Sequence, residues 1–188
     1  MRTFVTASLA LAAYGLLAAS PACAQTVDLT RSEIAFVSKQ MGVPVEGLFK
    51  KFDAQISFDP RKPDAGKVSF AIETGSASLS PEADSELIKP IWFNVAAFPR
   101  ATFTSSSIKA LGSGRFEVAG KLAIKGQTRD VVVPVAVSQA AGASTATGSF
   151  TIKRLEFKIG EGEWADTSMV ANDVQVKFKL SLRGMAPL

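Results

Sequence analysis

Side chains that commonly do chemistry in proteins are scarce in this chain. Its 188 residues contain no histidine, and the single cysteine, Cys23, lies in an apolar N-terminal stretch. Histidine and cysteine supply the usual ligands of zinc, haem and iron–sulfur sites and the base or nucleophile of most triads. We therefore predict that the protein is not an enzyme: it has no catalytic residue, no metal and no cofactor.

The acidic residues near Trp164 are the remaining candidates for chemistry. They could hold a hard cation, or support an enzyme that works through carboxylates alone. Their spacing lacks the alternating acids and central glycine of a calcium loop. No pair of carboxylates stands at a defined catalytic spacing, so we interpret the group as a solvated loop. Its members are Glu161, Glu163, Asp166 and Asp173.

Aromatic composition indicates an interior without hydroxyl groups. The chain has 13 Phe and 2 Trp but a single Tyr, which lies in the N-terminal stretch. A buried tyrosine needs a hydrogen-bond partner for its hydroxyl, whereas phenylalanine does not. An eight-stranded barrel can be filled by such side chains or can hold one small ligand. Inward-facing Ala54, Ala101 and Gly120 favour some free volume, but spacing alone leaves both alternatives open.

The elements that carry these side chains alternate between apolar and polar residues with a period of two, which is typical of antiparallel strands with one wet face. The clearest runs are 52–58, 68–72, 116–125 and 174–183, and weaker ones are 27–40, 101–111, 130–138 and 145–157. About eight strands at this spacing predict an all-β antiparallel fold, either a sandwich or a barrel.

The helix and turn signals complete this fold. Ser80 as cap, Pro81 at the first position and Pro90 as stop predict a short helix within a non-strand excursion near residues 81–98. We expect a two-residue hairpin at Gly126 and Gln127, and a mobile loop over 139–148.

The N-terminus has the features of a secretory signal peptide. Arg2 precedes an apolar run, and Ala22 and Ala24 form the small-x-small pattern before a cleavage site. We expect residues 1–24 to be cleaved and residues 25–188 to form a single domain that is periplasmic and does not span a membrane. The net charge of +4 is scattered along the strands, so nucleic acid is not an expected partner.

Several blocks resemble the YceI-like polyisoprenoid-binding family from about Val27 to Leu182. They are residues 32–36, 47–60, the aromatic block 92–103, the Gly-x-Leu-x-Ile-x-Gly-x-Thr block 120–128, and the Arg-x-x-Phe-x-Ile block 154–160. The resemblance implies a lipocalin-like barrel that holds an isoprenoid lipid, a polyisoprenoid or ubiquinone-type tail, in an apolar cavity. Family members often carry His-x-Gly where this chain has Gln40, Met41 and Gly42. Gln40 is therefore our head-group candidate, because it can donate a hydrogen bond to a carbonyl but cannot titrate.

The first functional hypothesis is a periplasmic carrier that uses these residues for lipid binding. The expected cavity lining is Phe36, Phe52, Ile56, Phe70, Phe103 and Leu122, and the expected lid or mouth is Leu87, Ile91, Trp92, Phe93 and Phe98. The alternative is an interaction or stress-response module for a membrane redox protein such as a cytochrome, with an incidental cavity. Homodimerisation is left open.

Overall fold

The computed structural model describes residues 24–188. The predicted signal peptide lies outside the described residues except for Ala24, so its cleavage stays a prediction. All strand pairs of the sheet are antiparallel. The strands are β1 (Ala24–Val27), β2 (Glu33–Gln40), β3 (Val43–Phe49), β4 (Phe52–Ser57), β5 (Lys67–Glu73), β6 (Ala77–Ser78), β7 (Arg100–Gly112), β8 (Arg115–Ile124), β9 (Gln127–Ala140), β10 (Ala143–Lys153) and β11 (Asp173–Arg183).

The sheet closes into a barrel because β1 pairs with both β4 and β11. Three barrel strands are bent and built from two pieces each. β1 and β2 both pair with β11, β3 and β4 follow one another beside them, and β5 and β6 pair with β4 and β3. The 11 strands therefore form eight positions around the barrel. The predicted all-β, eight-stranded antiparallel barrel is confirmed.

One short helix, α1 (Pro81–Leu87), interrupts the strands as predicted. The Ser80 hydroxyl caps it by accepting a hydrogen bond from the Ala83 amide at 3.2 Å. Residues 88–98, which the sequence placed in the same excursion, form a series of turns. Short 3-10 helices occur at Leu29–Arg31, Pro63–Ala65, Thr74–Ser76, Arg154–Phe157 and Gly162–Ala165.

Two local predictions about turns were wrong. The hairpin between β8 and β9 turns at Lys125 and Gly126, one residue before the predicted position. Both residues have positive φ, 47° and 74°, as a type I′ turn requires. The predicted loop over 139–148 is a hairpin, in which β9 continues to Ala140 and β10 resumes at Ala143. Its small polar residues pair with β11 or β9 instead of forming a mobile segment.

Strand direction defines two ends of the barrel. The upper end carries the long connections 74–99 and 154–172 and the turns between β2 and β3 and between β8 and β9. The lower end carries the connection 58–66 and the turns between β7 and β8 and between β9 and β10. The core lies inside the barrel between these ends.

Candidate functional site: an apolar cavity inside the barrel

A cavity of about 370 Å³ lies inside the barrel, which is within the range of small-ligand sites. Its lining extends from Phe58 and Met185 near the lower end to Gln40 and Trp164 at the upper end. Every barrel position contributes through its inward face. On β8, Phe116, Val118, Leu122 and Ile124 are all buried and all line the cavity. The predicted alternation of β8 therefore sets which side chains a ligand would contact.

Glycines on the barrel wall keep phenylalanine rings out of the middle of the cavity. A Cβ at Gly148 would lie 2.3 Å from the Phe178 ring, and one at Gly47 would lie 2.4 Å from the Phe36 ring. In both cases the glycine is the register partner of the phenylalanine on the neighbouring strand. The rings can lie along the wall because no side chain stands at the opposite position. Free volume therefore persists beside large aromatic residues.

The excursion after β6 places aromatic side chains at the upper end. The Phe93 amide donates to the Leu87 carbonyl at 3.0 Å, and the Trp92 amide donates to the Lys89 carbonyl at 3.0 Å. These bonds fold the chain back on α1, so that Leu87, Trp92 and Phe93 all line the cavity. The Phe93 ring contacts Phe49, with 6.0 Å between their centroids. The Trp92 ring contacts Trp164, with 5.5 Å between theirs.

Arg154 organises the other long connection of the upper end. Its side chain is 2% exposed, and each of its three nitrogens donates to backbone carbonyls. The acceptors are the carbonyls of Ala171 (3.0 Å), Ile159 (2.8 Å), Gly160 (2.9 Å), Trp164 (2.6 Å) and Val170 (2.7 Å). Burial lowers the pKa of the guanidinium below its ordinary value, although an arginine stays protonated in proteins. Five donors meet five acceptors, so this buried cation fixes the loop and keeps no hydrogen for a ligand.

Polar members of the lining gather at the upper end. They are Ser38, Gln40, Glu86 and Arg154. On β2 the inward positions change from Ile34 and Phe36 to Ser38 and Gln40 as the strand approaches that end. Among the described residues, two buried side-chain atoms lack a hydrogen-bond partner, the Ser38 hydroxyl and the Trp92 indole nitrogen. Both belong to side chains that line the cavity.

The structure brings most of the expected site residues together. Those that line the cavity are Phe36, Ile56, Phe70, Leu87, Trp92, Phe93, Phe103, Leu122 and Gln40. Gln40 is exposed, whereas the rest of the lining is buried or half-buried, so its side chain lies at the rim.

Three of the expected residues lie outside the lining. Phe52 packs in the core where the chain bends between β3 and β4. Ile91 contributes its backbone carbonyl, which accepts from the amides of Gly160 and Glu161. Phe98 packs on the turn at Gly126, where an added Cβ would lie 3.0 Å from its ring. Whether any of these residues binds lipid stays a prediction.

Sequence reasoning overlooked several lining residues, of which Ser38, Glu86, Arg154 and Trp164 carry polar groups. Ser38 could have been found, because it continues the even-numbered inward positions of β2. Arg154 and Trp164 lie in a connection without strand periodicity, so no sequence signal gave their direction.

The acidic residues around Trp164 disperse in the fold. Glu161 accepts from the buried Lys125 ammonium at 2.9 Å, Asp166 accepts from Ser168, and Asp173 pairs with Lys153 at 3.7 Å. In the part of the chain that the structure describes, no three residues of the His, Cys, Asp and Glu types are grouped to hold a metal. None of the helices within residues 24–188 has the length and apolar character needed to cross a membrane.

The closed barrel and its apolar cavity together define a lipocalin-like barrel. Barrels of this class can enclose one small ligand. The chain belongs to the YceI-like domain family, whose model matches residues 25–182. This confirms the resemblance found in the sequence.

Solved structures agree with this assignment. BcnA of Burkholderia cenocepacia is 44% identical, with a TM-score of 0.81 over 83% of this chain and 99% of that chain. A domain from Saccharophagus degradans, described as polyisoprenoid-binding and implicated in plant cell wall breakdown, shares the fold at 19% identity; its TM-score is 0.66 over 87% and 98% of the two chains.

A UPF0312 protein of Azotobacter vinelandii is 39% identical over 88 residues. That match spans 46% of this chain and 46% of the relative, about half of its length.

Proposed function

We propose that the protein is an exported, periplasmic carrier that holds an isoprenoid lipid, a polyisoprenoid or ubiquinone-type tail, in the barrel cavity. The observation that carries this proposal is the cavity of about 370 Å³ whose polar members lie only at its upper end. The description of the Saccharophagus domain as polyisoprenoid-binding supports the same ligand class.

The lining suits a branched hydrocarbon chain. Burial of apolar groups stabilises by about 0.8 kcal/mol per CH₂, so a five-carbon isoprene unit contributes roughly 4 kcal/mol before the costs of ordering. Half-buried Phe36, Phe70, Phe103 and Phe178 point inward and still keep accessible surface that a tail would cover.

Filling the cavity tests the proposal directly. Ala146 lines the cavity on β10, and Ala136 is exposed on the neighbouring β9. The protein would be purified from the periplasm of a Gram-negative host, extracted with organic solvent and analysed by mass spectrometry. We expect native protein and Ala136→Phe to carry an isoprenoid lipid, and Ala146→Phe to carry at least about tenfold less, the equivalent of 1.4 kcal/mol. Absence of any lipid from native protein, with no uptake of supplied ubiquinone, would contradict the carrier function.

Export is tested by the mature N-terminus. Gln25 is buried, its side-chain oxygen accepts from the Phe58 amide at 2.7 Å, and its backbone lies opposite Ile56. Cleavage after Ala24 would keep these contacts, so we expect the periplasmic protein to begin at Gln25. Intact-mass measurement of the periplasmic fraction checks this, and a full-length mass in the cytoplasmic fraction alone would refute export.

A further inference from the structure

We propose that lipid enters and leaves the cavity sideways, through a seam in the barrel wall between the upper halves of β9 and β10. The seam consists of residues 130–134 of β9 and residues 149–153 of β10, which would stand opposite one another if the strand register continued but do not pair. This inference rests on the proposed function, and it adds the route by which the ligand reaches its site.

The first step is where the pairing ends. From the lower hairpin upwards, β9 and β10 pair as far as Val135 and Gly148, and no pairing between them continues above this point in the described chain. Both strands go on and stay paired on their other sides, β9 with β8 up to Gln127 and β10 with β11 up to Lys153. At a rise of about 3.3 Å per residue, the seam is roughly 16 Å long.

The second step is the reason for that end. The Val137 amide donates to the Gly114 carbonyl on the β8 side, and alternate residues of an antiparallel strand direct their backbone groups to opposite neighbours. Pro134 is therefore the next residue of β9 after Ala136 whose backbone faces β10, and it has no N–H to donate. Its carbonyl oxygen does face β10, because a Cβ at Gly148 would lie 2.5 Å from it. The ladder thus stops at a residue that cannot continue it.

The third step is what lies on the two sides of the seam. On the inside, four side chains that flank it line the cavity: Val133, Val135, Phe150 and Ile152. On the outside, Val132 is 54% exposed, and Pro134 is exposed as well. Apolar side chains therefore lie on both faces of the wall at this height. A hydrocarbon chain that passes between the strands moves from one apolar surface to another, which limits its contact with water.

The fourth step is the weakness of the contact that closes the seam at its top. Arg129 reaches from β9 to the 3-10 helix that follows β10. Its Nη2 atom donates to the Glu156 carbonyl at 2.9 Å, and its Nε atom lies 3.8 Å from the Glu156 carboxylate. Both side chains are exposed, and an exposed ion pair adds little stability. Local opening is easiest where few hydrogen bonds must break. Opening the seam breaks this contact and side-chain packing, but no ladder between the two strands.

The experiment locks the seam with a reversible cross-link. In the double variant Val132→Cys/Thr151→Cys, two exposed positions that the continued register would set opposite one another are joined by a short bismethanethiosulfonate, which dithiothreitol removes. The matched control is Ala136→Cys/Thr147→Cys, an exposed pair on the same two strands that is already in register below the seam. Periplasmic protein that begins at Gln25 has no cysteine of its own.

Exchange of the bound lipid for supplied ubiquinone is followed over time by extraction and mass spectrometry. We expect the cross-link at the seam to slow exchange at least about tenfold, because a blocked route slows entry and exit alike. The amount of lipid bound at equilibrium should stay unchanged, whereas a variant that merely lost stability would bind less. Reduction with dithiothreitol should restore the native rate. The control cross-link should leave the rate unchanged before and after reduction.

Two outcomes would overturn the inference while leaving the carrier function intact. A fully cross-linked seam variant that exchanges lipid as fast as its reduced form would show that the ligand passes through the upper end at Gln40 instead. Equal slowing by the control cross-link would show that the block does not depend on the seam. Failure of the native protein to take up ubiquinone at all would instead contradict the proposed function, and the inference with it.

Discussion

The two ends of the barrel are built from different physical interactions. At the lower end Phe58 and Phe116 meet edge to face, with 4.9 Å between centroids and 88° between planes. Ile108 and Leu182 are each 1% exposed in the same cluster. The upper end instead depends on a buried guanidinium with five carbonyl partners and keeps two buried polar atoms unpartnered within the described part of the chain.

The two ends are therefore stabilised in different ways. Apolar packing at the lower end gains free energy without directional demands on a ligand. Hydrogen-bonding groups at the upper end need correctly placed partners, because a buried group left unpaired costs more free energy than a formed hydrogen bond gains. We infer that both ends contribute stability, the lower end through apolar packing and the upper end through the hydrogen bonds that fix the connection 154–172. The predictions below follow in order of expected effect.

Removing the Arg154 guanidinium at the upper end should have the largest effect on the free energy of unfolding. Arg154→Met leaves five carbonyls without this donor, three of them in buried hydrogen bonds, and we expect a loss of about 3–5 kcal/mol in the free energy of unfolding. The chain's two tryptophans both line the upper end, so their fluorescence should change while far-UV circular dichroism keeps its barrel signature. Urea denaturation measures the loss. An unchanged midpoint in Arg154→Met would show that the connection 154–172 does not depend on this residue.

Truncating a core side chain at the lower end should lower the free energy of unfolding by a similar amount, but it should affect ligand binding differently. Phe116→Ala removes one ring of the edge-to-face pair, and a loss of about 3–5 kcal/mol is expected from the vacated volume. The uptake of supplied ubiquinone per folded molecule should stay near the native value, whereas Arg154→Met should lower it by displacing Trp164 from Trp92. Equal changes of uptake in both variants would remove the distinction between the ends.

Filling a wall position between the ends should have an intermediate effect. Gly148→Ala would place a Cβ 2.3 Å from Phe178 Cζ and 2.5 Å from the Pro134 carbonyl oxygen. The ring must move towards the cavity, so we expect about 1–3 kcal/mol of destabilisation and a lower total uptake of lipid. Thr151→Ala, exposed on the same strand, serves as the control and should change stability by no more than about 0.5 kcal/mol. Thermal unfolding measures the destabilisation, and the uptake assay measures the amount of bound lipid.

Lowering the pH should have the smallest effect on stability, and it should act on carboxylates at both ends. Hydrogen bonds from Ser168 lower the pKa of Asp166 at the upper end, and those from Arg61 lower the pKa of Asp59 at the lower end, below the ordinary 3.8. A lowered carboxyl pKa stabilises the fold above the unfolded value, and this contribution is lost as the pH falls through the folded value. Because the chain has no histidine, we expect a constant melting temperature from about pH 6 to 8 and a decline only below about pH 4. A transition near pH 6.5 would be unexplained by these groups.

Strand identity was largely predictable from the sequence, because a period of two directly reports one buried face. β8 is the clearest case, since its predicted inward residues are the buried ones. Periodicity did not indicate β3, because it contains Pro44 and Gly47 and lacks alternation; its pairing with β2 and β6 defines it. The turn at Lys125 and Gly126 was displaced by one residue, because turn type follows from two backbone angles that composition only weakly specifies.

What the sequence by itself determined is an antiparallel all-β fold with a dry, phenylalanine-rich interior, because alternation and the lack of hydroxyls are local properties. Whether those rings would fill the interior or line it was decided by cross-strand register, which sets Phe178 opposite Gly148 and Phe36 opposite Gly47. Tertiary structure alone brought Ser38 and Trp92 to the same cavity, since no local pattern relates a strand residue to one in a distant turn. Side-chain direction in connections depends on long-range hydrogen bonds, and for that reason the places of Ile91, Phe98 and Arg154 emerged only from the fold.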